Sequence, residues 1–483
     1  MNMLVDQLKA TSNITTTTNG DAAFKSTTDA LVDLFYKIGA CSDPEDAIPL
    51  FEKAFHEDPN MAVRILLYAR DIRGGMGMRQ VFRTVLAHVA KTHPKVAKAI
   101  IPKIPEVGRW DDILSVFNTP VEKQATFFWG YHLAKGDRNA AKWAPREKSA
   151  KRRYAKKLAK MIGCNLGEYR KLVAGHTNVV ETQMSSGKWD EIDFSTVPSV
   201  ASARYQKSFA KNATDRYTEY RDALSNGSPD VKVNAGAIFP HTVVQSLNSG
   251  DHTVASAQWA ALPNYMEGCD LNLICMVDVS LSMNCDVMGK TTAMDVAVAL
   301  GVYVSERITG AFKDKFITFE SSPEFVDLSG LSFPMKVKKT RRASWGGSTN
   351  FQKAYTMILE AAIKNKVPAS DMPEVLIVFS DMQFDEAMNT YHNTSTYDAT
   401  AAETLRVAYE AWGYKPPTMI FWNLNGSETV PCVAGDVGNV LVSGFSPAIM
   451  RSVLSTDLSN ITPLSMVENA VNVPRYDWNV ETL

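Results

Sequence analysis

Two hydrophobic periods divide the chain. In TDALVDLFYKIGA (28–40) the apolar positions recur every three or four residues, as one face of a helix requires. DPEDAIPLFEKAFHED (43–58) follows with an Asp/Pro start signal, then NMAVRILLYARDIR (60–73) and MRQVFRTVLAHVAK (78–91), separated by Gly74, Gly75 and Gly77. Short amphipathic helices joined by Gly/Pro turns predict a HEAT-like helical array over residues 21–225, although no clean internal repeat is visible. Beyond SNGSPD (225–230) the period changes, and 226–267 reads as a connecting segment. ICMVDVS (274–280), KFITFES (315–321), EVLIVFSD (374–381), TMIFWNL (418–424) and NVLVSGFS (439–446) are short apolar runs. Helical patterns at 291–308, 351–365 and 399–413 lie between them. Alternating apolar strands and helices predict a doubly wound parallel sheet, so the fold class is α + α/β, with the α/β domain at 268–455. Residues 1–20, rich in Thr and Asn without periodicity, are expected to be disordered. The tail, 456–483, is expected to dock on the body through Tyr476 and Trp478.

Composition narrows this picture only a little. At 483 residues the chain exceeds a single core, and a net charge of −1 offers no overall attraction to nucleic acid or membrane. Six cysteines without a CxxC pair fit reduced thiols. No basic start precedes an apolar core at the amino terminus, and no apolar run reaches the roughly 18 residues of a membrane span. The expectation is a cytoplasmic protein without a membrane partner.

The chemistry gathers at strand ends. Asp278, Ser280 and Ser282 follow the first strand, Thr349 lies in the turn SWGGSTN before the helix at 351, and Asp381 follows EVLIVFS. In a doubly wound sheet, ligands sit beyond the carboxyl ends of strands. Carboxylates and hydroxyls from three loops, without His or Cys nearby, are hard oxygen donors suited to Mg²⁺, with Mn²⁺ or Ca²⁺ as alternatives. They cannot fill six positions, so water or an incoming acidic group is needed. An ordinary strand-to-turn exit also favours Asp and Ser, so DVSLS alone would be weak.

DVSLS, a distant Thr and a later Asp after an apolar strand resemble the metal-ion-dependent adhesion site (MIDAS) of von Willebrand factor A (vWA) domains. The resemblance implies a non-catalytic cation held by Ser280 and Ser282. Thr349 would act directly or through water, Asp278 and Asp381 mainly through water, and a protein partner would supply a carboxylate. A vWA domain behind a helical array resembles the Ro autoantigen and TROVE proteins, and more closely a related domain-of-unknown-function family. YARDIRGGMGMR (68–79), IPEVGRWDDIL (104–114), AKWAPRE (141–147), EIDFSTVPS (191–199), AIFPHTVV (237–244), IVFSDMQFD (377–385) and LVSGFSP (441–447) carry it. It implies a ribonucleoprotein component whose helical half binds RNA.

Residues 135–171 hold thirteen Lys/Arg against three acids, a local +10 on a neutral chain. Lys142, Arg146, Lys148, Lys151, Arg152, Arg153, Lys156, Lys157, Lys160, Arg170 and Lys171 are the candidate RNA contacts, with Trp143, Tyr154 and Tyr169 interleaved as possible stacking surfaces, although Trp143, at a Trp-Ala-Pro turn, reads better as core. The competing reading is a solvated face paired with acids elsewhere. RGGMGMR (73–79) lacks a P-loop ending and follows a helix, so it reads as a helix-breaking turn, although Arg70, Arg73 and Arg79 could touch phosphate. KKTRRASWGG (338–347) is expected to form a basic loop over the cation site. GRWDD (108–112) reads as a capped helix start.

Three functions fit. The first is a non-enzymatic RNA-binding scaffold whose vWA half takes a cation and an acidic partner. The second is a protein-interaction module without nucleic acid. The third is a metal-dependent phosphoesterase with Asp385 or Glu386 as base, which a sparse carboxylate set disfavours.

Overall fold

The computed structural model describes residues 12–177, 179–249, 252–289, 291–319, 323–343, 351–384, 401–426 and 428–478. The described chain opens on a β-hairpin, where disorder was expected through residue 20. β1 (Ile14–Thr16) pairs antiparallel with β2 (Ala22–Phe24). The β-branched threonines favour extended backbone, and Asn19-Gly20, with Gly20 at φ +98°, supplies the reversal. A lone hairpin is marginal in water. This one is fastened to the sheet half, because Phe24 and Val430 exchange backbone hydrogen bonds of 2.9 and 2.8 Å.

The helical half is built as its apolar stripes dictate. Helix Ala30–Ile38 is capped by Asp29, which accepts from the amides of Leu31 and Val32, and buries Leu31, Leu34, Phe35 and Ile38. Helix Pro59–Arg70 has Pro in its first turn and Asp58 as cap. It ends in the RGGMGMR turn, where a Cβ on Gly75 would stand 2.1 Å from the carbonyl oxygen of Tyr68. Only glycine fits there, so the turn has a packing reason.

The expected linker, 226–267, carries two helices. Helices Pro240–Ser246 and His252–Ala260 lie in it, burying Val243, Val244, Val254 and Ala255, while Trp259 stacks on Phe333 at 4.3 Å. The buried face of each includes a polar residue, His241 in the first and Gln258 in the second, so neither shows the unbroken apolar stripe by which a surface helix is read. One continuous core runs through both halves; a smaller cluster around Phe194, Phe209 and Tyr217 lies beside it.

The sheet half holds β3 (Leu273–Asp278), β4 (Lys315–Phe319), β5 (Phe325–Asp327), β6 (Val375–Ser380), β7 (Thr418–Asn423) and β8 (Asn439–Ser443). Their order is β8-β7-β6-β3-β4-β5, parallel except for β5, a short antiparallel edge that has no apolar run to mark it. β3 and β6 are buried along their whole length, as their apolar sequences require. The chain leaves β3 toward β4 on one side and returns through β6 on the other. That reversal opens a crevice at the carboxyl ends of β3 and β6.

The tail docks on the helical half. Tyr476 donates from its hydroxyl to Asp71 Oδ2 (3.1 Å), Trp478 Nε1 donates to Asn60 Oδ1 (3.0 Å), and the Arg475 guanidinium grips Asp71. Among the described residues, no helix is long and apolar enough to cross a membrane.

Candidate functional site

The crevice collects four of the five expected cation-site residues. Asp278, the last residue of β3, is fully buried; its Oδ1 accepts from the Ser280 amide (2.9 Å) and its Oδ2 from the Ser380 hydroxyl (2.6 Å). The Ser280 and Ser282 hydroxyls lie 3.0 Å apart, Ser280 buried and Ser282 open to solvent. Asp381, also buried, follows β6; its Oδ1 accepts from the Gln383 amide (3.2 Å), and Ser282 hydrogen bonds to it. Thr349 lies outside the described residues, as do Asp385 and Glu386.

The electrostatics are one-sided. Burial, then repulsion from Asp381, pushes the Asp278 carboxyl up to about 7, against the pull of hydrogen bonds from Ser280 and Ser380. Burial also raises Asp381. Among the described residues no Lys, Arg or His forms an ion pair with either carboxylate. Taking an ionised carboxylate out of water costs several kcal/mol unless something compensates. A cation in the crevice would reverse that penalty and restore both anions. The donors are oxygens, and among the described residues no three His, Cys, Asp or Glu side chains converge as a protein-only metal cage would need. The residues present therefore fit a hard divalent ion held by hydroxyls, water and an outside carboxylate. KKTRRASWGG does not form the expected loop over this crevice as far as it is described. Lys338 and Lys339 close helix Phe333–Thr340 and, with Arg342, flank the β5 edge, because Phe333 and Val337 pin that helix into the core.

The basic segment is a surface. Helix Arg152–Met161 buries Ala155, Leu158 and Ala159 and exposes Arg152, Arg153, Lys156 and Lys160. Lys148, Lys151, Arg146, Arg170 and Lys171 are exposed as well, and Lys142 and Lys157 are half-buried. Two of the eleven are paired, Lys157 with Glu122 at 2.5 Å and Arg170 with Glu147 at 3.6 Å. No ion pair within the described residues holds the others. Lys142, Trp143 and Arg146 line a groove of about 450 Å³.

The aromatic expectations divide. Tyr154 is half-buried, edge-on to Phe117 at 5.1 Å. Trp143 is half-buried with the Arg109 guanidinium 3.8 Å from its ring centroid. Tyr169 is buried and donates to the Pro145 carbonyl (3.0 Å), so it presents no stacking face. Arg70 is likewise unavailable to phosphate. It is buried against Asp112 (2.7 Å), which also accepts from Arg83 (2.6 Å), while Asp111 pairs with Arg83 and Arg109 at 2.9 and 2.7 Å. GRWDD is a capped 3₁₀ turn and also the anionic centre of an arginine network. Arg79 stands at its exposed edge, its pKa lowered by burial and by neighbouring Arg109 and Arg83.

Sequence reasoning passed over Thr17, Thr18 and Asn19, which hydrogen bond to the Asp381 loop. The Asn-Gly turn after a threonine run was the available signal.

Fold and site define the class: a helical array joined to a doubly wound α/β domain with an oxygen-lined crevice at its switch point. The chain belongs to a family described as a domain of unknown function, DUF2828, whose model matches residues 17–161 and 137–269, and a second such domain, DUF7788, matches residues 272–473. The resemblance to a domain-of-unknown-function family is thus borne out. The chain is 31% identical to the uncharacterized protein L728 of Acanthamoeba polyphaga mimivirus, with 94% of this chain and 86% of that protein covered. It is also similar to the crystal structure of the Deinococcus radiodurans RO (RSR) protein, at a TM-score of 0.47 and 14% identity, covering 92% of this chain and 100% of that one.

Proposed function

We propose that the chain is a non-enzymatic, cytoplasmic RNA-binding scaffold. The helical half holds RNA through the basic face at 142–171, and the vWA half binds a divalent cation, Mg²⁺ foremost, that accepts a carboxylate from an acidic protein partner. The observation that carries the RNA reading is the run of exposed cations around helix Arg152–Met161, unpaired among the described residues, on a chain of net charge −1. Such a face attracts a phosphate backbone with marked salt dependence. Ser280 and Ser282 would hold the ion, with Asp278 and Asp381 behind them and Thr349 completing the set. The ion supplies a positive charge for the incoming carboxylate.

Electrophoretic-mobility titration of single-stranded RNA at three salt concentrations tests the first half. Binding that weakens steeply with salt is expected, and no binding at low salt would sink it. Partner capture with and without EDTA tests the second half. A protein-interaction module without RNA is the second reading, favoured by Leu281, which is 62% exposed between the two candidate serine ligands and gives a partner an apolar foothold.

A further inference from the structure

The loop that carries Asp381 is held from outside the sheet half. After β6 the chain runs Asp381, Met382, Gln383, Phe384, and Met382 adopts φ +63°, in the left-handed region that a bulky residue seldom enters. Such a conformation is strained and persists only where its surroundings over-determine it. On the inner side, the Met382 amide donates to Ser380 Oγ (3.0 Å), the same hydroxyl that donates to Asp278. On the outer side stands the N-terminal hairpin. Thr17 Oγ1 donates to the Phe384 carbonyl (2.5 Å), the Thr18 amide to Gln383 Oε1 (2.9 Å), and Asn19 Nδ2 to the Gln383 carbonyl (2.8 Å). The Gln383 amide in turn donates to Asp381 Oδ1 (3.2 Å). One residue therefore links the hairpin tip to the carboxylate. The tip is itself fixed, since the Thr17 amide donates to the Asp21 carbonyl (2.8 Å) and the Asp21 amide to Thr17 Oγ1 (3.0 Å).

We propose that Thr17 and Asn19 are positioning residues of the cation centre. The docked hairpin keeps the strained Asp381 loop in the conformation that presents its carboxylate beside Asp278. Cation binding and hairpin docking are then linked equilibria, and each strengthens the other by the same factor. The inference rests on the cation reading above and adds the residues, some 360 positions upstream of the loop, that set the affinity. The hairpin base is held separately by Phe24 and Val430, so the tip can be loosened without undocking the whole element.

The test uses the full chain, with Mg²⁺ and Mn²⁺ as probes. Calorimetric titration reads affinity, and amide exchange of residues 14–24 reads hairpin docking. The double variant Thr17→Val/Asn19→Ala should bind the cation about 5-fold or more weakly. Thr18→Ala should bind like wild type, because Thr18 contributes its main-chain amide. Saturating Mg²⁺ should slow hairpin exchange in wild type. If the double variant fails to fold, Gln383→Ala removes an acceptor from the loop side and should weaken binding in the same direction. Wild-type affinity in a variant whose hairpin exchanges faster would overturn the proposal. If wild type takes up neither ion, the cation reading fails, and this inference with it.

Discussion

The two halves treat charge in opposite ways. The sheet half buries Asp278 and Asp381, without a cationic partner among the described residues. The helical half displays Lys151, Arg152, Arg153 and Lys156 to solvent. An unpaired buried charge is expensive, so its retention argues strongly for a ligand that compensates it. An exposed cation costs almost nothing and argues weakly for any ligand. The helical half also has a buried charge cluster, Arg70, Arg83, Asp111 and Asp112, and there the compensation is internal. Identical side-chain types thus carry different information according to burial and partner.

The contrast can be broken most forcefully at Asp112. Asp112→Ala leaves the Arg70 guanidinium buried without its anion and should cost about 3–5 kcal/mol in urea unfolding. Asp278→Asn should act in the other direction. Its carboxyl is raised to about 7 in the folded state, so the unfolded chain ionises first as pH rises. Cation-free wild type therefore loses stability at this site between about pH 4 and 7, by a few kcal/mol at about 1.4 kcal/mol per pKa unit. The Asn variant should be more heat-resistant than wild type in EDTA at pH 7.5, yet gain nothing from added Mg²⁺. A variant that melts lower in EDTA would remove the argument that a ligand belongs there.

A smaller effect is expected at Asp111. Burial opposes its ionisation, but hydrogen bonds and charge from Arg109 and Arg83 prevail and hold the carboxyl at about 2. Its contribution, about 2 kcal/mol, is present above the unfolded pKa near 3.9 and is lost as pH falls from there toward 2. The stability difference between wild type and Asp111→Asn should shrink over that window. The smallest effect on stability belongs to the exposed face. Lys151→Ala, Arg152→Ala and Arg153→Ala together should change stability by no more than about 0.5 kcal/mol per site. They should flatten the log-affinity versus log-salt slope for single-stranded RNA by about 0.7 for each phosphate no longer neutralised. Asp381→Ala should leave that slope unchanged. A triple variant that binds RNA like wild type would make the face merely solvated.

What was legible in the chain follows the same physics. The parallel strands could be read because burial on both faces demands unbroken apolar runs, and Asp278, Ser280, Ser282 and Asp381 could be read because polar residues interrupt those runs at their carboxyl ends. β5 escaped notice because a three-residue edge strand needs only one buried side chain, Val326. Helices Pro240–Ser246 and His252–Ala260 escaped because His241 and Gln258 interrupt their buried faces with polar side chains. Tyr169 was misjudged because interleaving with lysines in sequence says nothing about which way a ring faces. Arg70 was misjudged because its partner lies 42 residues downstream.

The tail that closes over Asp71 has a consequence for the order of assembly. Asp71 is fully buried, and its side-chain partners Arg475 and Tyr476 come 404 and 405 residues later. At translation rates of roughly 5–20 residues per second, the ribosome delivers them about 20–80 s after Asp71. For that interval Asp71 lacks the two side chains that hold its carboxylate in the folded protein. This corner is therefore completed only once Arg475 and Tyr476 have been made, and a chain cut before Arg475 would leave Asp71 without these two partners.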